Sequence, residues 1–395
     1  MPPSALLLNL AHFLDHFFLL IFPTAVLAIH PAWGMSYGEA LSLGTPAFVV
    51  FALATPLSGW LGDRLGGRPM ILAFFLGIGL SSIATGLATG PVTLALGLAA
   101  IGLFASIYHP VGTAMVVRVA VRRGRALGVN GVFGNMGVAA AALVTAWLAA
   151  HMGWRAAFVL PGILSCVAGL AYALVSDDVG AETAEPHRTG GGDGARGEQA
   201  RVLLVVAVNA LLGGIVFNGV TIALPKLFSE RLDGAGLAAV GAYASLVFAL
   251  AAFTQIPVGR LLDRIGAKPI LVSLVALQTV LLALVSTVEG PLVVLAAVPL
   301  MLAVFGTIPV GVWLISHYVA PDWRSRVYSV QFLLSLGVGA VVVPVLAWTH
   351  EASGGFRLAF LLFAGATGAV LATSAMLLPR ESRPLTGETA RAEGA

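Results

Sequence analysis

Twelve apolar runs of membrane-crossing length fill most of this chain and limit its possible folds more than any other feature. A helix rises about 1.5 Å per residue, so crossing about 30 Å of hydrocarbon takes about 20 residues. Breaks at charge, proline and glycine clusters delimit the runs at 4–30, 38–62, 69–89, 91–117, 125–149 and 155–176, then at 202–225, 236–261, 268–288, 291–317, 325–349 and 356–378. Composition agrees: 58% hydrophobic and 10% charged residues, against about 25% charged in soluble domains, leave a surface that water cannot solvate. The predicted fold class is an all-α polytopic membrane protein with twelve transmembrane helices. The first run, Leu6 to Ile29, has no basic residue ahead of it and no small-residue cleavage site behind it, and reads as a retained helix. Cys166, the single cysteine, lies in an apolar segment, which excludes a disulfide framework and a multi-cysteine zinc site.

Polar residues divide the chain once. Residues 1–176 are expected to form one six-helix bundle, 177–200 a flexible cytoplasmic linker containing Gly190-Gly191-Gly192-Asp193-Gly194, 201–379 a second bundle and 380–395 a cytoplasmic tail. Placing both termini in the cytoplasm leaves only Arg155, Lys226, Arg231 and Arg357 outside, out of 21 Lys and Arg. The positive-inside rule therefore predicts that orientation.

An internal repeat with an offset close to 200 underlies the two halves. Asn9 meets Asn209, Gly59 meets Gly259, Asp63 meets Asp263, Arg64 meets Arg264, Gly66 meets Gly266 and Pro69 meets Pro269. Further on, Gly90-Pro91 matches Gly290-Pro291, and Arg155-Ala156-Ala157-Phe158 matches Arg357-Leu358-Ala359-Phe360 two residues out of step. Six helices have been duplicated.

The stretch Gly59-Trp60-Leu61-Gly62-Asp63-Arg64-Leu65-Gly66-Gly67-Arg68, with its second copy Gly259-Arg260-Leu261-Leu262-Asp263-Arg264-Ile265-Gly266-Ala267-Lys268, resembles the loop signature of the major facilitator superfamily. The Gly-Trp-Arg-x-x-Phe at 153–158 adds to the resemblance, which covers the whole chain. The glycines suit a tight turn, and the acid can face positive helix ends or arginines of the opposite half. The resemblance implies two pseudo-repeated six-helix bundles, and a conformational latch of Gly59, Asp63, Arg64, Gly66, Arg68, Gly259, Asp263, Arg264 and Gly266 that closes the cytoplasmic side in the outward-facing state. Charges that only solvate a loop are the alternative.

The repeat also serves as a control, because each half shows what the other would carry if a position were scaffold alone. His12, Asp15 and His16 meet Leu212, Ile215 and Val216, and His109 meets Ile308. Spacings of three and four put Asn9, His12, Asp15 and His16 on one face of the first helix near its middle. Ionisable groups at that depth are costly unless they face a cavity. The fourth helix places Ser106, His109 and Thr113 on another such face, with Tyr108 beside it. Proton coupling by Asp15, His12, His16 and His109 is one reading; a structural hydrogen-bond network pinning the first helix is the other.

These local motifs also resemble the fosmidomycin-resistance branch of the superfamily, whose first helix carries a histidine followed by an amide and an acid and whose fourth carries Phe-His-Pro-Glu. Here they read His12-Phe13-Leu14-Asp15-His16 and Ile107-Tyr108-His109-Pro110-Val111, with the acid one position early and valine in place of glutamate. The branch implies drug efflux. The same imidazoles and carboxylate suit zinc, nickel or copper, so a transition-metal carrier using His12, Asp15, His16 and His109 is the alternative.

Asn9, Tyr108, Asn130, Asn209, Asn218 and Gln331 are substrate-cavity candidates, with interhelical hydrogen bonding as the competing role. Gly128, Gly131, Gly134 and Gly137 form a small-residue strip suited to close helix packing. Ser36 and Glu39 have the form of a capping box, and His151 and His350 are expected at the outer interface. A phosphate-binding loop needs Gly-Lys-Ser/Thr, yet the only lysines are Lys226 and Lys268, preceded by Pro225 and Ala267. An enzyme is not expected, nor a cofactor. The resulting expectation is a monomeric secondary transporter of a small organic solute in the cell membrane, coupled to protons and exporting, with no nucleic-acid partner.

Overall fold

A computed structural model describes residues 3–119, 123–175 and 193–379, and among them there is no strand. Twelve helices are long and apolar enough to cross a membrane: α1 Ser4–Ala32, α2 Tyr37–Leu65, α3 Gly67–Gly86, α4 Pro91–Val116, α5 Ala126–Met152, α6 Ala156–Leu174, α7 Gly197–Arg231, α8 Leu237–Ile265, α9 Ala267–Val285, α10 Leu292–Tyr318, α11 Arg326–Ser353 and α12 Arg357–Leu377. A helix suits such runs because it pairs its backbone N–H and C=O groups within the segment, where lipid offers no partner. Large side chains such as Leu53, Leu174 and Met376 are more than three-quarters exposed on the outer faces, where only an apolar solvent suits them. The protein is a multi-pass membrane protein. Helix already begins at Asp193, so the last residues of the expected 177–200 linker join α7. Residues 177–192 of that linker and the 380–395 tail lie outside the described residues.

The duplicated loop has the same backbone in both copies. Gly66 ends α2 with φ 84° and Gly266 ends α8 with φ 77°, a region that a side chain strongly disfavours. The next helix starts one residue later in both halves.

Within the halves, α1 packs along α5, α3 along α6, α2 along α4 and α9 along α12. Small residues allow the closest approaches: a Cβ on Gly137 of α5 would collide with the Phe13 carbonyl oxygen of α1, and one on Gly102 of α4 with the Ala47 carbonyl of α2. Gly128 has nothing near it and Gly131 only Gln255, so the strip packs tightly over Gly134 and Gly137 alone.

Between the halves, α5 packs on α8, α2 on α11 and α1 on α7. The α5–α8 contact is concentrated along Leu237–Phe253, and Gln255, beyond the Thr254 joint, lies beside Gly131. At the Tyr37 end the halves are tied. Glu351 Oε1 of α11 accepts a 2.8 Å hydrogen bond from the Gly38 N–H of α2, and the Tyr37 ring packs on His350 and Phe356. Lys226 Nζ of α7 lies 5.1 Å from the Tyr37 ring centroid. Ser36 and Glu39 form the capping box that their spacing predicts. His350 is not merely interfacial: its Nε2 lies 2.7 Å from Glu230 Oε1 of α7. At the other end, Asp63, Arg64, Asp263 and Arg264 are exposed.

Candidate functional site

The first half builds a polar cluster into an otherwise apolar interior. Along α1, Asn9, His12 and Asp15 are buried, Asp15 completely, and His16 is half-buried. The opposing wall comes from α4, where Pro110 has no N–H to give to the helical ladder. There the helix widens into a π-turn over Tyr108–Gly112, a distortion frequent at functional sites. Consecutive residues Tyr108 and His109 thereby both reach the cluster and both are buried.

Two sub-networks result. In the first, His12 Nδ1 lies 2.8 Å from the Asn130 carbonyl oxygen of α5, and the Asn130 amide nitrogen donates to Asn9 Oδ1 at 2.9 Å and to the Tyr108 hydroxyl at 2.7 Å. The His12 ring stacks on Tyr108, and Gly134 leaves the space that ring occupies. Asn9, Tyr108 and Asn130 are thus hydrogen-bonded to one another. In the second, His109 Nε2 lies 3.2 Å from Asp15 Oδ2. The contact is close enough for an ion pair but lacks hydrogen-bond alignment, and neither Asp15 oxygen accepts a hydrogen bond from the protein. His12 Nε2 and His109 Nε2 are likewise buried without a hydrogen-bond partner. The ligand nitrogens of His12, His16 and His109 lie within 4.8 Å of one another, close enough for a metal ion.

The remaining candidates are more dispersed. A cavity of about 20 Å³, the size of one water, lies between the halves and is lined by His16, Phe48, Phe51, Phe217, Asn218 and Thr221 among others. Asn218 is buried there and donates to the Gly214 and Ser335 carbonyls. Asn209 opens a second π-turn, Asn209–Gly213 in α7, where it is half-buried and away from the cavity. Gln331 lies against Gly311 of α10, with Oε1 unpaired. Of the loop residues, Gly59 faces Pro110 and Gly66 and Gly266 form the turns. Arg64 stacks on Trp60, Arg68 donates to the Ala173 carbonyl, and Asp263 Oδ1 accepts from Trp313 Nε1 at 3.3 Å. Each of these contacts stays within one half. Gly259 has open space around it, and Arg264 is exposed. A larger concavity of about 260 Å³ between α2 and α4, lined by Leu43, Pro46, Val92 and Leu96 among others, is wholly apolar and has none of this chemistry.

One residue expected at the cluster lies away from it, and one participant was not foreseen. Ser106 does not face the cluster but shares a 2.8 Å hydrogen bond with Ser58 of α2. Phe332 of α11 stacks on His109 with centroids 5.2 Å apart. One phenylalanine among 20 carries no sequence signal that distinguishes it.

Comparison with known proteins agrees with this architecture. The family model described as Major Facilitator Superfamily matches residues 7–344 and 234–394. The multidrug resistance protein MdtG of Klebsiella pneumoniae is 25% identical over 85% of this chain and 82% of its own length. A probable 4-methylmuconolactone transporter of Cupriavidus pinatubonensis is 29% identical over 66% of this chain; the match takes in 63% of that relative, under two thirds of its length. In fold, the chain is similar to a bacterial homolog of the human lysosomal transporter Spinster in an inward-facing and occupied conformation, with a TM-score of 0.71 at 18% identity over 96% of this chain and 92% of the other. The fosmidomycin-resistance resemblance rests on the two local motifs alone. Repeat, duplicated loop, helix count and family match agree, and the chain belongs to the major facilitator superfamily.

Proposed function

We propose that this chain is a proton-coupled secondary transporter that exports a small organic solute by alternating access, working as a monomer in a bacterial inner membrane with both termini in the cytoplasm. The observation that carries the coupling is Asp15: it is fully buried, 3.2 Å from His109 Nε2, with no hydrogen bond from the protein to either oxygen. A carboxylate kept for structure is normally hydrogen-bonded on burial, because an unsatisfied buried polar group costs about 1–3 kcal/mol and a charged one more. Asn130, Asn9 and Tyr108 meet that standard and Asp15 does not. A buried acid beside imidazoles, with its alternative partners withheld, suits reversible proton uptake.

In this orientation the Tyr37 end, where the halves are tied, is the outer side, and the Asp63 end is the cytoplasmic side. Asp63, Arg64, Arg68, Asp263 and Arg264 then act as the latch when the halves rock the other way around a midplane site. The solute site is the small cavity at His16 and Asn218, which widens in the open states of the cycle. Export is favoured by the likeness to MdtG, which is named for multidrug resistance and aligns over most of both chains. A metal ion as cargo is not favoured. His12, Asp15, His16 and His109 all lie in one half, whereas cargo in such carriers binds between the halves.

Purified protein reconstituted in liposomes tests the reading. A panel of aromatic acids, lactones and cationic dyes is offered with and without an imposed pH gradient. At least one member should move against its gradient and stop when a protonophore is added. Flux that ignores the protonophore would contradict proton coupling.

A further inference from the structure

Among the described residues, every ring contact, hydrogen bond and ion pair of the coupling cluster comes from the first half, except one. His12, Asp15 and His16 lie on α1, Tyr108 and His109 on α4, and Asn130 on α5. The exception is Phe332 of α11, whose ring lies 5.2 Å from that of His109 with 29° between the planes. In the register that aligns Asn130 with Gln331, the first half has Gly131 where the second has Phe332. The stack therefore has no counterpart across the repeat.

We infer that Phe332 is a positioning residue through which the second half senses the proton on His109, the ring-on-ring contact being the element that links protonation of the first half to docking of the second. A neutral imidazole stacks on a phenyl face as one aromatic ring on another. An imidazolium in the same place gains cation–π attraction, most strongly where water is excluded. The contact is thus stronger when His109 carries a proton, and the second half docks more firmly. Among the described residues, the other titratable groups facing His109 are Asp15, His12 and His16 from α1 and Tyr108 from its own helix, and the ring contact from α11 is Phe332. The Ile308 that matches His109 has no proton to report.

This inference rests on the proton-coupling reading, and its test separates the two. Spin labels at Gly128→Cys on α5 and Ile256→Cys on α8, in a Cys166→Ser background, report the opening at the Asp63 end without any solute. Distances are measured by double electron–electron resonance in nanodiscs between pH 5 and pH 8.5. In the otherwise unmodified protein the ratio of the two distance populations should change with pH by between about fivefold and about thirtyfold, the range for a cation–π contact largely shielded from water expressed as a population ratio. Phe332→Leu keeps the apolar bulk and removes the ring; its ratio should be flat to within about twofold. Phe332→Trp restores a ring face and should restore the response. A pH-dependent parent with an equally pH-dependent Phe332→Leu overturns this inference and leaves the coupling reading standing. A parent whose distances ignore pH overturns both.

Discussion

The Glu351 carboxylate of α11 accepts a 2.8 Å hydrogen bond from the Gly38 N–H at the start of α2, so one half of the transporter caps the first turn of a helix in the other. A carboxylate at a helix N-terminus is favoured both by the unpaired N–H groups and by the helix dipole. Among the described residues no such bond links the exposed loops at the opposite end, and the Glu351–Gly38 bond favours closure at the Tyr37 end.

Glu351→Gln keeps an acceptor but loses the charge, which separates a charge-assisted bond from a neutral one by about 1 kcal/mol. The closed end should then open about fivefold more often. Ala347, 4% exposed and next to Gly38, reports it. A cysteine there, with Cys166 replaced by serine, should label about fivefold faster in the variant. An unchanged rate would show that Glu351 does not hold the end closed. Gly38→Ala should act in the same direction, because a Cβ there would meet Glu351 Cγ and come within 2.9 Å of the Ala347 carbonyl.

The α5 glycine strip separates into positions that matter and positions that do not. Gly137→Ala drives a Cβ into the Phe13 backbone carbonyl, which no rotamer change can relieve, and should cost about 1–3 kcal/mol. Gly128 has nothing within 4 Å, and Gly128→Ala should stabilise by about 0.5–1 kcal/mol through helix propensity. Thermal unfolding of the detergent-purified proteins distinguishes them, and equal melting temperatures would contradict this account of α1–α5 packing.

At the duplicated loops, Asp63→Asn should slow turnover by about tenfold, equivalent to about 1.4 kcal/mol lost from the state closed at that end, with unfolding temperature preserved. Asp263 already accepts a bond from Trp313 within its own half, so Asp263→Asn should be milder. A fall in protein yield with unchanged turnover per molecule would show that these residues serve folding only.

Helix number, duplication and the loop turns were legible in the sequence because they depend on local composition: run length, the offset near 200, and glycines where φ is positive. The α1 face was legible for the same reason, since Asn9, His12, Asp15 and His16 recur at helical spacing. The α4 face was only half legible. Helical spacing grouped Ser106 with His109, but Pro110 widens the helix there, so Tyr108 joins the cluster and Ser106 turns to Ser58. Asn9, Tyr108 and Asn130 looked like cavity lining, yet they satisfy one another. Contacts between distant helices left no local trace. The Glu351–Gly38 bond and the Phe332 stack join residues more than 200 positions apart, and Phe332 is one apolar residue among many.

The central claim is that Asp15 carries the coupled proton, and Asp15→Asn reconstituted in liposomes tests it most directly, using the solute that the panel identifies. Exchange of solute down its own gradient needs alternating access but no net proton movement, whereas accumulation driven by an imposed pH gradient needs both. In the variant, exchange should continue within about twofold of the parent and the response to the pH gradient should disappear. Full gradient-driven transport by Asp15→Asn would contradict the assignment and move the proton to His12 or His109.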